Sequence, residues 1–198
     1  MSVEEHIRFF DRIALPYSIS YRIARNSYRR LLETHLVRLG LPKGVRVLDV
    51  GCGPGSMAAA FADMGFSVHG VDGAPRMAAI AARNGIPCSV ADATAALPFA
   101  DGSFDLAVAG WVAHGIHQPA RERLYREMRR VAAKAVLLHD YSPSERGFPL
   151  LSVMGLLERL ERSDYVAFRQ GARGELESVF DRVEIIPINA RASWYYCR

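Results

Sequence analysis

"VLDVGCGPGS", residues 47–56, decides how the chain is built. An apolar run passes through Asp49, ends at Val50 and gives way to Gly51, Gly53 and Gly55. A short apolar run closed by glycines reads as a buried strand. The alanine-rich "SMAAAFADMG" that follows reads as a helix stopping at Gly65. Buried strands rarely keep a carboxylate without a partner. Asp49 must therefore accept hydrogen bonds, either from a bound ammonium group, directly or through water, or from N–H groups of the turn itself. Glycine at alternate positions leaves the backbone bare where a ligand can come close. The helix start adds unpaired N–H donors.

Outward from this stretch the pattern alternates. "FSVHGVD", "IPCSVAD", "FDLAVAG" and "KAVLLHD" read as further strands, and "APRMAAIAARNG" and "QPARERLYREMRRV" as helices between them. Upstream, residues 4–13 and about 19–39 read as helices; downstream, helical stretches lie near 148–162 and 173–180. Strands alternating with helices imply βαβ units and a parallel sheet covered on both faces. "RVEIIPI" and "SWYYC" stand too close for a parallel crossover and should form an antiparallel hairpin. The expected fold class is α/β: a doubly wound, Rossmann-like, mostly parallel sheet of seven strands with a C-terminal antiparallel hairpin. The chain reads as one domain, 1–198, with a helical lid or cap over 1–44 and a ligand-binding core over 45–198.

Composition agrees with a globular chain: half of the 198 residues are hydrophobic and 23% are charged, enough to bury a core. No apolar run approaches the roughly 20 residues of a membrane-spanning helix. The charged N-terminus lacks the apolar heart of a secretory signal. Cys52, Cys88 and Cys197 show neither metal-ligand spacing nor a disulfide framework, so the expected setting is cytoplasmic. The net charge of +4 belongs to residues 1–45, where Arg22, Arg25 and Arg29 recur at helical spacing. That face reads either as a solvated surface or as a contact for an anionic partner.

Asp72 ends the second strand about 20 residues after the glycines, where such folds bind ribose hydroxyls. Asp92 ends the third strand and can accept an adenine amine, with Met77 or Leu97 flanking the ring. A nicotinamide-binding turn should read G-x-G-x-x-G, but Ser56 stands at its last position. The turn instead reads D-x-G-x-G-x-G. With "HGVDGAPRM", "VADATAALPFADGSFDLAVAGWVAH" and the terminal hairpin, the chain resembles the class I S-adenosylmethionine-dependent methyltransferases over about residues 45–198. Within them it looks most like the small-molecule branch that includes the ubiquinone/menaquinone C-methyltransferases, to whose N-terminal segment "FFDRIALPYS" is also similar. It departs from many relatives by lacking a Pro-Gly-Gly turn before the fifth strand, where "RRVAAKAVLLHD" stands.

The resemblance implies a residue-by-residue cofactor site for S-adenosyl-L-methionine, whose spent product is S-adenosyl-L-homocysteine. Asp49, Gly51, Gly53 and Gly55 would hold the methionyl end, Asp72 with Gly73 the ribose, and Asp92 with Ala93 and Met77 the adenine. Gly110 and Trp111 would border the transferred methyl, and Tyr17 would close over the cofactor. Base candidates follow the fourth and fifth strands: His114, His117, Asp140 and Tyr141, of which His114 lies nearest Trp111 in sequence. His114-x-x-His117 has no evident third ligand, so no metal is expected. The chain has neither the Asn-Pro-Pro-Tyr sequence of base-amino methylators nor a cytosine-type Pro-Cys nucleophile in place. A small molecule is therefore the expected methyl acceptor, for a monomer or homodimer. Nucleic acid is disfavoured, although the basic N-terminal helix would suit an RNA methyltransferase. A non-catalytic cofactor-binding protein is the other alternative. The apolar "FPLLSVMGLL", 148–157, reads as a substrate wall or as a core-packed helix.

Overall fold

A computed structural model describes residues 2–42, 44–144 and 163–198. Seven strands form one sheet: β1 (Arg46–Val50), β2 (Ser67–Asp72), β3 (Cys88–Val90), β4 (Phe104–Gly110), β5 (Ala132–Tyr141), β6 (Val183–Pro187) and β7 (Ala192–Cys197), in the order β3-β2-β1-β4-β5-β7-β6. The first five strands pair in parallel, while β7 runs antiparallel to both β5 and β6. Strand order reverses between β1 and β4, which opens a crevice at their carboxyl ends. This is the doubly wound sheet with a reversed terminal hairpin that the sequence predicts.

Alternation along the central strands sorts the core into two layers. Val47, Leu106, Val108, Leu137 and Trp194 face one side, against Leu32 of α2 (Tyr21–His35) and Phe61 of α3 (Ser56–Asp63). Leu48, Ala107, Val136, Leu138 and Tyr195 face the other. There they meet Leu124 and Met128 of α5 (Ala120–Val131) and Phe168 of α6 (Tyr165–Glu177).

The first helix differs from expectation: α1 covers Val3–Ser18 instead of 4–13, with Pro16 inside its last turn. A proline so near the C-terminus removes one ladder bond with little helix left to disrupt. Carbonyls of Pro16 and Tyr17 still accept the N–H groups of Ile19 and Ser20. At its start a capping box closes the helix: Ser2 Oγ accepts from Glu5 N–H at 3.2 Å, and the Glu5 carboxylate from Ser2 N–H at 2.8 Å. The second helix ends at His35, followed by a 3-10 turn over Leu36–Leu39. Helix α6 begins at Tyr165, upstream of the expected 173. The helix predicted near 148–162, with its apolar 148–157 stretch, lies outside the described residues.

Against α4 (Pro75–Arg83), α1 buries Ala14 beside Ala74 and Met77, with Phe10 and Tyr17 at the margin. Asp11 of α1 accepts the Arg76 N–H at 2.8 Å. The helix is thereby laid across the carboxyl ends of the strands. On α2, Arg25 pairs with Asp63 of α3 at 2.5 Å and Arg29 lies 3.9 Å from Glu33, so two of the three aligned arginines have carboxylate partners.

Candidate active site

Between β1 and α3, Gly51, Gly53 and Gly55 all adopt positive φ, from +53° to +86°, a region that disfavours side chains. A Cβ on Gly51 would stand 2.6 Å from Val112 Cγ2. Gly53 faces the Tyr17 ring, and Gly55 packs on Ile86 and Ala81. Gly53 therefore borders open space, whereas Gly51 admits the close approach of Val112 and Gly55 serves the fit of helix to strand.

The carboxylate that opened the problem has a protein partner. Asp49, 1% exposed, accepts the N–H of Ala58 in the first turn of α3 at 2.9 Å. Burial pushes its pKa up to about 7; the Ala58 bond opposes this and the charge of Asp72 adds to it. The other two acids repeat the arrangement. Asp72 accepts from Ala74 N–H (2.8 Å) on Oδ1 and from Gly53 N–H (2.7 Å) on Oδ2, and burial raises its pKa. Asp92 Oδ1 accepts both the N–H and the hydroxyl of Thr94, each at 2.8 Å. Each strand-ending acid thus fixes the backbone that follows it.

Two cavities meet at the carboxyl ends of the strands. The first is lined by Gly51, Gly53, Asp72, Gly73, Met77, Asp92 and Ala93, all expected from the sequence. The capping Ser2 and, from α1, Val3, His6, Ile7 and Phe10 roof it. The second contains Asp49, Tyr28, Met57, His114, His139, Tyr141 and Asn189. Tyr17, Gly51, Gly53, Gly110 and Trp111 line both, so the spaces adjoin at the end of β4. Gly55 lines neither, and Leu97, expected to flank the adenine, is buried in the core away from both.

The first cavity fits an adenosyl group. Its floor is bare glycine backbone, Met77 supplies an apolar wall, and Asp92 Oδ2 has no hydrogen-bond partner among the described residues. His6 Nδ1 is likewise buried without a partner among them. Burial above all, with smaller contributions from the neighbouring His114, N-terminus and His117, lowers the His6 pKa to about 4, so the ring is neutral at pH 7.

Around the second cavity the groups are side chains. Trp111 has φ +59°, a strained setting for a bulky residue, at a cost of about 1–3 kcal/mol. Its N–H donates to the His139 carbonyl at 2.9 Å. The indole meets the rings of Tyr141, His139 and His114 edge-on, with centroids 5.0, 5.1 and 6.1 Å away. His114 sits on a 3-10 turn over Ala113–Gly115 and is 5% exposed. Its Nδ1 lies 2.8 Å from Asp140 Oδ1, and its N–H donates to Asp140 Oδ2 at 3.3 Å. Two of the base candidates therefore form one Asp–His pair, with the Tyr141 ring edge-on against His114. His117 belongs elsewhere: it lines the first cavity and faces Asp164 at 3.3 Å, in a network with Arg121 and Glu175.

With this geometry in place, residues 47–135 match the family model for a methyltransferase domain. The likeness to that family model is thus confined to these residues. The match contains the glycine turn, all three strand-ending acids, Trp111 and His114. An uncharacterized methyltransferase of Mycobacterium sp. (strain JLS) is 48% identical over 92 residues, 46% of this chain and 35% of that protein. A demethylmenaquinone methyltransferase of Renibacterium salmoninarum is 31% identical over 131 residues, 65% of this chain and 54% of that one. The chain thus spans about a third of the length of the first of these curated relatives. The fold is also that of an S-adenosylmethionine-dependent methyltransferase from Aquifex aeolicus, with TM-score 0.60 and 21% identity over 83% of this chain and 87% of that one.

Sequence reasoning missed His6, Tyr28, His139 and Asn189. His139 carried a signal, a polar residue inside the apolar "KAVLLHD". The others come from helices and a hairpin turn remote from the motif, and only the fold brings them to it.

Proposed function

We propose that the chain transfers the methyl group of S-adenosylmethionine to a small, partly apolar acceptor, releasing S-adenosylhomocysteine. The walls that the two cavities share at Gly110 and Trp111 carry this reading: one space suits the adenosyl group, and the other lies where the methyl would point. The cofactor supplies an electrophilic methyl on a sulfonium, whose departing thioether needs no proton.

The chain's own residues bind, orient and exclude water. Asp72 retains lone pairs for ribose hydroxyls, and Asp92 Oδ2 would accept from an adenine amine. Tyr17 and the rest of α1 close the first cavity as a lid. Alignment of this kind can contribute on the order of 7–11 kcal/mol. His114 acts as the general base. Asp140 holds its Nδ1 hydrogen, which leaves the ring lone pair on Nε2. The aromatic lining of the second cavity and the demethylmenaquinone methyltransferase among the relatives support a small apolar acceptor.

Calorimetry with S-adenosylhomocysteine, together with transfer of labelled methyl into a metabolite extract, tests the reading. Micromolar-range binding and a labelled small product are expected. Failure of either the binding or the transfer overturns it.

A further inference from the structure

One imidazole in the second cavity has its protonation fixed from behind. Trp194 of β7 donates its indole N–H to His139 Nδ1 at 3.0 Å. An indole nitrogen only donates, so Nδ1 must hold a lone pair, and the proton of the neutral ring sits on Nε2. The ring is neutral at pH 7, because it is 3% exposed and burial pushes its pKa down to about 4. Tyr28 and Trp111 clamp it edge-on, with centroids 5.6 and 5.1 Å away. His139 lines the cavity, and among the described residues no group accepts from its Nε2.

His114 has the opposite polarity. Its Nδ1 faces the Asp140 carboxylate, which places the lone pair on Nε2. Both rings stand against the same Trp111 indole. The cavity therefore pairs one imidazole that takes a proton with one that only gives a hydrogen bond.

Resting on the methyl-transfer reading, we propose that His139 is a specificity-determining donor whose Nε2–H holds an oxygen of the methyl acceptor. That oxygen would stand beside the atom His114 deprotonates. The acceptor class is then a molecule with an ionisable hydroxyl next to a carbonyl or similar lone-pair oxygen. An analogue lacking that oxygen leaves a buried donor unpaired, which binding sites of this kind reject.

The test uses the full chain saturated with S-adenosylhomocysteine and two probes of similar shape, 2'-hydroxyacetophenone and 2-ethylphenol, titrated by tryptophan fluorescence. The ketone should bind about tenfold or more tightly. The gap should vanish in His139→Phe and return in part in His139→Gln, whose amide can donate. NMR of labelled histidine should find the His139 proton on Nε2, a readout independent of any ligand. Trp194→Phe keeps the ring but releases its tautomer, and should narrow the gap if His139→Phe fails to fold. Equal binding of the probes, binding of neither, a gap unchanged in His139→Phe, or a proton on Nδ1 would each overturn the proposal. So would a loss of S-adenosylhomocysteine affinity in His139→Phe with the gap intact, which assigns the donor to the cofactor. If the unaltered chain fails to bind S-adenosylhomocysteine, the methyl-transfer reading falls, while the tautomer result still reports on His139.

Discussion

The two cavities are built by opposite means. In the first, carboxylates grip backbone: Asp72 holds Gly53 and Ala74, and Asp92 holds the turn at Thr94. In the second, side chains grip side chains: Asp140 holds His114, and Trp194 holds His139. A backbone cradle suits a ligand that never changes, whereas a ring of side chains can be re-cut for a new acceptor without disturbing the sheet. Variants that touch one cavity should therefore leave the other working.

His114→Ala should produce the largest effect, a fall in kcat of about 10²–10⁴-fold with S-adenosylhomocysteine affinity within about twofold of the unaltered chain. Parallel calorimetry and kinetics check it; an equal loss of affinity breaks the separation. Asp72→Ala should do the reverse. Affinity for S-adenosylhomocysteine should fall about 100-fold, roughly 2.8 kcal/mol, while kcat at saturating cofactor stays within about tenfold.

Asp49 sharpens the comparison through pH. Its pKa is raised to about 7 by burial, so between about pH 4 and 7 the folded chain binds its proton more firmly than the unfolded one. Its contribution to stability is full below about pH 4 and drains away as pH rises through 7. His6 and His139, with pKa values lowered to about 4, impose the opposite slope between about pH 4 and 6.5, so the comparison must be with a variant. Asn in place of Asp49 keeps an oxygen for Ala58 N–H and removes the charge. Asp49→Asn should gain stability relative to the unaltered chain between pH 4 and 8, on the order of 3 kcal/mol, read from urea midpoints.

Gly51→Ala should cost about 1–3 kcal/mol of stability by urea titration, because its φ of +68° and the Val112 side chain both oppose a Cβ. Smallest of all, Asp63→Asn breaks the half-exposed pair with Arg25, outside both cavities. It should change stability by under about 1 kcal/mol and turnover not at all.

The same contrast explains what could be read in advance. Asp49, the glycines and Asp72 sit in local patterns whose spacing reflects strand, turn and helix, so the sheet and the glycine turn at its carboxyl edge were legible in the sequence. Residue type also proposed His114 and Asp140, though not that they bond to each other. His139 went unread because its role depends on Trp194, 55 residues away on a strand that runs the other way. Tyr28 and His6 depend on how two helices lie across the sheet, which no local period encodes.

Helix α1 carries one last consequence. It roofs the first cavity with side chains from Val3 to Phe10 and is anchored to α4 through Ala14 and Asp11. Under the proposed function, a molecule seated there would leave only when this helix moved aside, so its residence time would follow how often the helix does so. Occupancy should in turn shield the first turns of the chain from proteases and slow their amide exchange.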